Sequence, residues 1–506
     1  MNNKKGFTSV FLVTILLSVV LVTGTFAEAS AGYAARSTAD GILRLAGDSV
    51  LAEYDRKLLK DYGLFGVTMD ETFLEEQIRK YAEAGFAKDP GYSNFLRLEL
   101  KSLECDLSQS SLLSSELLVA QILAYMEGRI LADPELWNGL FRLVGQLGDL
   151  TGLIDTASGL ADEFQAAKAL LEEVSAQEEG DVAYAEEQYA NASQNALGAI
   201  SDLQELIQDI GVETPLDFPE ILPEISNDTA NSEDEKLPKA EQKLALVNDV
   251  YIAMLPSRLL QVDKGMAFSL SAGSSGLVEG IKENFLISAY ALKCFDHHLK
   301  AEPREDHYFL NEGEYLLFGQ MSDEANYSRM KASLMTLRTA LNLVHIYTDQ
   351  AKYEETLALA MSILPGPAAP ILQFVIALAW AGSEAGKDME RLEEEGKVPL
   401  FKTADDWILS LSGTLENSGA DGDDGRGLSY ENYLFLFLLL ADKEAKLVRI
   451  MDLVQLNLQG AHDGSFAMKN CHCQVSFTAE VVRQSGFFGK RGQRFGIFTV
   501  HREYDG

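Results

Sequence analysis

The sequence predicts a mainly α-helical protein with a small C-terminal antiparallel β-sheet (α+β) and an N-terminal transmembrane helix that continues into a stalk helix. Three observations lead to this fold class. Residues 6–27 form an apolar run without a charge, and helical patterns fill most of the chain after it. Near the C-terminus the segments FAMKNCHCQVSFTAEVV and RFGIFTVHREY alternate apolar and polar residues, as strands do.

The apolar run, residues 6–27, is long enough to cross a membrane. As a helix it would span about 33 Å, which covers a hydrocarbon core. Lys4 and Lys5 precede it and Glu28 follows it. The positive-inside rule therefore places the basic leader, residues 1–5, in the cytoplasm and the bulk of the chain outside, as a single-pass protein of the cell membrane. A secretory signal cleaved near residues 29–31 is the alternative, and it exports the same residues.

The start of the chain also looks like a prepilin leader. A short basic segment ends at Gly6 and Phe7, where a leader would be processed, and the apolar helix begins at once. Most pilins carry a glutamate five residues into the mature helix, whereas this chain has Phe11. An ordinary uncleaved anchor is therefore the favoured interpretation.

Four segments are predicted after the anchor. Residues 28–66 predict a stalk helix that ends at Gly63, and residues 67–210 predict helical arms rich in alanine and glutamate. Residues 211–242 hold nine acids and four prolines, which is typical of a linker. Residues 243–506 predict an α+β body.

One stretch of this body resembles a second membrane span. Residues 356–383 are uncharged, but Pro365, Pro367 and Pro370 interrupt them. The remaining apolar run is too short to span a bilayer, so the sequence predicts a buried core helix instead.

Composition limits the classes of partner. The chain has 506 residues, with 42 Lys and Arg against 77 Asp and Glu, and a formal net charge of −35. Binding to nucleic acid requires a basic face, so nucleic acid is excluded as the main partner. The same charge disfavours broad docking on an anionic lipid surface. The length favours more than one packed unit.

The strongest metal-like pattern lies after a predicted helix. His297, His298 and His307 are weak candidate ligands, and Asp296, Glu302 and Asp306 stand beside them. Adjacent histidines on a helix point about 100° apart, unlike the pair in an HExxH motif. A polar helix end near the surface is the structural alternative, and no metal or other cofactor is predicted.

The four cysteines, Cys105, Cys294, Cys471 and Cys473, are too few for a disulfide-built scaffold. In a strand, Cys471 and Cys473 would face one side and His472 the other. Structural zinc requires four ligands, and no second Cys/His pair has a suitable spacing. A disulfide outside the cell and free thiols in a packed strand both stay open.

The remaining motifs indicate no catalysis. The acidic turn at residues 421–425 lacks the EF-hand spacing, and His345 has no evident nucleophile partner. The motifs GxSxG, GxxxxGK[ST] and HExxH are absent from the sequence. We therefore expect no catalytic and no cofactor-binding residues.

Several blocks resemble one uncharacterised bacterial family. They are the N-terminal GFTSVFLVTILLSVVLVTGTFAEASA, DSVLAEYDRKLLKDYGLFG, ISAYALKCFDHHLK, WAGSEAGKDMERLEEEGKVPLFKTADDW, LSYENYLFLFLLL and RIMDLVQLNLQG. Together they resemble the domain of unknown function 5702 family of Gram-positive bacteria. Its members are encoded near Tad-type (Flp) pilus or secretion genes and are similar in layout to the TadE/TadG class of minor pseudopilins. The resemblance implies a system and a location rather than a reaction.

The sequence thus predicts a membrane-anchored, extracytoplasmic, non-catalytic structural or assembly component of a Tad/Flp-type pilus or a related secretion apparatus. Its expected partners are membrane lipid, through residues 6–27, and other pilus or secretion components. An exported metal-dependent hydrolase and a surface binding protein are the alternatives.

Overall fold

A computed structural model describes residues 3–86, 98–130, 254–260, 277–300, 307–363, 369–411, 427–461, 464–483 and 493–503, with the single positions 187, 191, 194, 195, 304 and 365. The predicted linker, the acidic turn at 421–425 and most of the predicted arms lie outside the described residues. The described part is mostly helical, with small antiparallel sheets and a long apolar N-terminal helix. The predicted fold class is therefore confirmed.

The elements are named in chain order. The helices are α1 (Asn3–Leu51), α2 (Arg56–Tyr62), α3 (Glu71–Phe86), α4 (Ser115–Ile130), α5 (Pro256–Leu259), α6 (Leu277–Cys294), α7 (Glu312–Phe318), α8 (Asp323–Thr348), α9 (Gln350–Ile363), α10 (Ala369–Glu393), α11 (Tyr430–Leu440) and α12 (Lys443–Ala461). The strands are β1 (Val67–Thr68), β2 (Leu98–Asp106), β3 (Cys471–His472), β4 (Gln474–Arg483) and β5 (Gln493–Glu503).

The chain divides into two compact units. Unit 1 comprises Met1–Tyr125, Leu246–Leu260 and Val454–Gly506, and unit 2 comprises Met126–Ala245 and Gln261–Leu453. The C-terminal strands therefore group with the N-terminal helix, whereas the sequence placed them in one body with the helices that precede them. The cause is strand pairing, because β2 from the N-terminal part of the chain is the neighbour of β4.

A three-stranded antiparallel sheet forms the centre of unit 1. Its order is β2-β4-β5, and Leu98 of β2 pairs with Arg483 of β4. Burial alternates along β4, so that one face of the sheet is apolar and the other is polar, as expected of a half-buried sheet. The buried side chains of β4 are Val475, Phe477, Ala479 and Val481.

Strand β2 lies within residues 67–210, which the sequence assigned to helical arms. Leu98 and Leu103 are both buried, although they are five residues apart. An irregularity in the register between Leu100 and Ser102 shifts the alternation by one residue. The bulge thus hides the two-residue period from which a strand is usually recognised.

The C-terminal half of α1 packs against this sheet and against α3. Small residues on one face of the helix allow the close approach. Its fully or almost fully buried residues are Ala35, Ala39, Leu43, Ala46 and Val50. Residues 28–51 are therefore a core helix of unit 1.

The predicted stalk ends where expected but contains a break. Helix α1 ends at Leu51, and Asp55 starts α2 by accepting hydrogen bonds from the backbone N–H groups of Lys57 and Leu58 at 2.9 and 3.0 Å. Helix α2 ends at Gly63, whose φ of 65° is left-handed. A Cβ atom at Gly63 would also lie 2.0 Å from the ring of Tyr125, so only glycine fits.

Unit 2 is built from helices. Helix α10 packs against α8 and α9, and α11 is buried along almost its whole length. Helix α10 carries much of the uncharged stretch at 356–383 and buries Phe374, Ala377 and Trp380. The prediction of a core helix there is confirmed.

Candidate functional site

A group of buried ionisable side chains in unit 2 lies between the end of α6 and the start of α8. Helix α7 is short and wholly buried, although its first turn carries Glu312 and Glu314. Asn311 precedes the helix, and Gly319 ends it with a left-handed φ of 60°. The segment after α6 supplies a hydrogen-bond partner for each of these two carboxylates.

Asp296 is the centre of the first cluster. It is fully buried, and its carboxylate accepts hydrogen bonds from Lys300 Nζ at 2.7 Å and from the backbone N–H of Arg304 at 2.5 Å. Burial raises the pKa of Asp296, but His307, Lys300 and Arg304 outweigh it, and the net pKa lies below its ordinary value. Arg304 also donates to the carbonyl of Lys293 at 2.9 Å, at the C-terminal end of α6.

Asp296, His307 and Glu312 form a group whose potential ligand atoms all lie within 4.8 Å of one another. An imidazole and two carboxylates suit zinc. Each group is, however, already engaged: His307 Nδ1 lies 2.6 Å from Glu312 Oε2, which also accepts the backbone N–H of Asp296 at 2.7 Å. Lys300 and Arg304 already place two positive charges beside Asp296, and these charges would repel a metal cation. The geometry favours an ion-pair cluster that closes the end of α6.

The other two candidate histidines point elsewhere. The ring of His298 stacks on Tyr327 at a centroid distance of 3.5 Å, and its Nδ1 lies 3.2 Å from Asn311 Oδ1. His297 Nδ1 is buried with no hydrogen-bond partner among the described residues. Burial, with Lys300 nearby, lowers the pKa of His297 to about 4, so its ring is neutral. Of the three candidate histidines, the structure therefore brings only His307 to the Asp296 carboxylate, and His297 and His298 point elsewhere. Glu302 and Asp306 lie outside the described residues.

Glu314 is a site residue that the sequence analysis missed. It is fully buried, and its Oε1 accepts hydrogen bonds from Tyr430 Oη at 2.5 Å and from the backbone N–H of His298 at 3.1 Å. Its Oε2 has no partner among the described residues. Burial raises the pKa of Glu314 to about 7. The sequence feature that could have indicated a buried carboxylate is the presence of two acids within the otherwise apolar heptapeptide EGEYLLF.

A second buried cluster joins α8, α10 and the segment that follows α10. Arg338 Nε lies 2.9 Å from Asp388, and Lys402 Nζ lies 2.6 Å from the same carboxylate. Lys402 also pairs with Glu384, so two cations balance two anions. Arg338 donates to the carbonyls of Pro399 and Leu400 at 2.8 Å each. The cluster thus holds an irregular segment on two helices.

A buried lysine, Lys446 of α12, lies against α6 and α11. Its Nζ donates to Asn284 Oδ1 at 2.5 Å, to Leu438 O at 2.7 Å and to Ser288 Oγ at 2.8 Å. These acceptors are uncharged, and burial lowers the pKa of Lys446 to about 7. Three hydrogen bonds on one side chain fix the helix packing here.

All four cysteines are free thiols in the structure. Burial raises the pKa of Cys105 to about 12 and that of Cys473 to about 11, so neither is activated as a thiolate. Cys471 is fully buried, and its Sγ lies 2.2 Å from where a Cβ atom at Gly66 would stand. These thiols pack rather than react.

His472 and Ser110 form a hydroxyl–imidazole pair, with 2.6 Å between Nδ1 and Oγ. Both side chains are almost fully buried, so a substrate has no access to the hydroxyl. His345 of α8 stacks on Trp407 with ring centroids 5.2 Å apart, and burial lowers its pKa to about 4. Neither histidine is arranged for catalysis.

The candidate processing site, Gly6 and Phe7, lies inside the unbroken helix α1. The apolar residues after it are exposed, including Val10 at 67% and Phe26 at 72%. Among the described residues, only Val10–Leu51 is long and apolar enough to cross a membrane. This agrees with a membrane anchor.

Comparison of the sequence with known protein families gives a match over the part of the chain that holds both buried charge clusters. A model for a family of unknown function (DUF5702) matches residues 238–482. No curated protein and no solved structure matches the chain. The match confirms the family resemblance drawn from the sequence blocks and carries no activity with it. Residues 238–482, just under half of the chain, are thus similar to the family of unknown function DUF5702.

Proposed function

We propose that this protein is a membrane-anchored, extracytoplasmic structural or assembly component of a Tad/Flp-type pilus or a related secretion apparatus. In this role it is similar to a minor pseudopilin and is not an enzyme. Lys4 and Lys5 stay in the cytoplasm, residues 6–27 lie in the bilayer, and the acidic remainder lies outside.

The observation that carries the proposal is the two-part helix α1. Its first half exposes apolar side chains on all sides, from Val10 to Phe26, while its second half is part of the core of unit 1. One continuous helix thus joins a lipid-compatible segment to a folded unit without a hinge. Such a subunit can pack through its apolar half and present its folded part as a contact surface.

The buried charge clusters support a scaffold role. The charges around Asp296 and Arg338 are neutralised by neighbouring side chains, and they hold loops and helix ends in place. Clusters of this kind specify packing.

The test is crosslinking in the native host, followed by membrane purification of the tagged full-length protein and mass spectrometry. We expect pilus or secretion components to be recovered. The matched control replaces residues 1–31 with a cleavable secretory signal, so that the same folded part is exported without its helix anchor, and recovery should be lost. Recovery of no assembly component by the full-length protein would reject the proposal.

A further inference from the structure

Two ion pairs join α1 to the sheet, one near each end of the packed half. Glu28 Oε1 lies 3.0 Å from Arg483 Nη1 at the end of β4. Asp48 lies 2.9 Å from Arg502 near the end of β5. Glu28 is the first charged residue after the apolar run, so the Arg483 pair marks the level at which α1 leaves the apolar segment.

The sheet runs along the helix between these two pairs. Twenty residues of helix from Glu28 to Asp48 rise about 30 Å. On β5, Gln493 is the register partner of Arg483, and the nine residues from there to Arg502 extend about 30 Å as a strand. The equal lengths mean that the strands lie roughly parallel to the helix axis, with the Arg483 end of the sheet at the level of Glu28.

No free length of helix separates the apolar run from the packed part. Gly24, Glu28 and Ala31 are already half-buried, and Ala35 is fully buried. The headgroup layer adds roughly 5–7 Å on each side of a hydrocarbon core that is about 30 Å thick. When residues 6–27 fill that core, Glu28 and its partner Arg483 lie at headgroup depth.

We propose that the Arg483 end of the three-stranded sheet rests in the phospholipid headgroup layer and is a second membrane contact of this protein. The contact surface comprises Arg483 of β4 and the exposed Glu99 of β2, whose register partner Val482 precedes Arg483. The inference rests on the membrane anchor in the proposed function, but it needs no pilus component.

The chemistry of the contact is local. The net charge of −35 opposes broad docking on an anionic surface, so only a small patch of the protein meets lipid. Arg483 is already paired with Glu28, so this end of the sheet offers the headgroup layer a neutralised ion pair rather than a free charge.

The experiment measures depth with the full-length protein in vesicles of phosphatidylcholine and phosphatidylglycerol. A Cys105→Ala background removes the half-buried native thiol. Single cysteines replace Glu99, Glu104 or Ser18 and carry a fluorophore, and vesicles hold either a headgroup or an acyl-chain quencher. Glu99 and Glu104 are exposed residues of β2, with identical chemistry, and stand about 17 Å apart along the strand.

We expect the headgroup quencher to act at least about twofold more strongly on the label at residue 99 than at residue 104, because only the former lies within reach of the headgroup layer. The label at residue 18 should respond to the acyl-chain quencher. Equal quenching at residues 99 and 104, with residue 18 quenched, would overturn the inference and leave the anchor intact. If residue 18 is not quenched, the anchor and the inference both fail.

Discussion

Glu314 shows how a single buried group sets the pH response of a region. Its carboxyl group accepts hydrogen bonds from Tyr430 and from the backbone of His298, and the nearby Asp323 of α8 adds to the rise in its pKa. Among the described residues, no cation pairs with Glu314, in contrast to Asp296, on which Lys300 and Arg304 converge. Burial therefore keeps Glu314 protonated up to about pH 7.

The first prediction is that Glu314→Gln makes stability less dependent on pH. In wild type the folded-state pKa of about 7 lies above the ordinary value of 4.5, so the stabilisation is complete below about pH 4.5 and is lost as pH rises through 7. The loss amounts to roughly 3 kcal/mol. Urea unfolding of the detergent-solubilised full-length protein at pH 5 and pH 8 measures it. Equal pH slopes for wild type and variant would contradict the prediction.

At this scale the sequence was a partial guide. It suggested a polar helix end near the surface around residues 296–307, whereas the structure has a buried ion-pair cluster there. Glu314 was not anticipated, because an acid next to apolar residues on a short helix looks the same whether it faces solvent or the core. Its burial depends on Tyr430, which lies 116 residues further along the chain.

At the scale of elements, the contact between α1 and the sheet depends on small side chains. Alanines on the helix face the buried side of β4, and Gly47 contacts Phe477 and Arg502 closely. A larger side chain on this face would force the helix and sheet apart.

The second prediction compares two alanine-to-leucine substitutions on α1, one at a buried position and one at an exposed position. Ala39 is fully buried, so Ala39→Leu should cost about 1–3 kcal/mol of unfolding free energy through overpacking. Ala34 is exposed, so Ala34→Leu should change it by less than about 0.5 kcal/mol. Thermal unfolding of both full-length variants in detergent measures the difference. Similar effects at the two positions would mean that this face of α1 does not pack on the sheet.

The helices and strands were largely predictable where the hydrophobic periodicity or a helix-capping residue can be read from a short stretch of sequence. The long apolar N-terminal helix, the core helix α10 and the strands β4 and β5 follow from apolar runs, prolines and alternation. The break after Leu51 was missed, although Asp55 is a good N-cap residue, because the helical pattern resumes at once. Strand β2 was missed because its bulge interrupts the alternation.

At the scale of the whole molecule, the pairing of distant segments decides the architecture. Strand β2 meets β4 through pairs such as Lys101 and Glu480, which are 379 residues apart. A local pattern carries no information about such a partner. For this reason the fold class was predictable, while the grouping of both chain ends in unit 1 was not.

The third prediction is that deletion of residues 471–506 exposes α1. The variant lacks β3, β4 and β5, so the buried face with Ala35, Ala39 and Leu43 loses its partner. We expect trypsin to cleave after Arg36 and Arg44 within minutes in the truncated membrane protein, but slowly in the full-length protein. Fragments that derive from unit 2 should be unchanged and provide the internal control. Protection of Arg36 and Arg44 in the truncated protein would contradict the prediction.

The distance along the chain between β2 and β4 also sets an order of events during biosynthesis. The anchor and β2 leave the ribosome first, and at about 5–20 residues per second their partner strand follows only after roughly 20–75 s. Throughout that interval the face of α1 that packs on the sheet lacks its C-terminal partner strands, although α3 is already synthesised. The core of unit 1 is therefore completed only when the last strands of the chain are made.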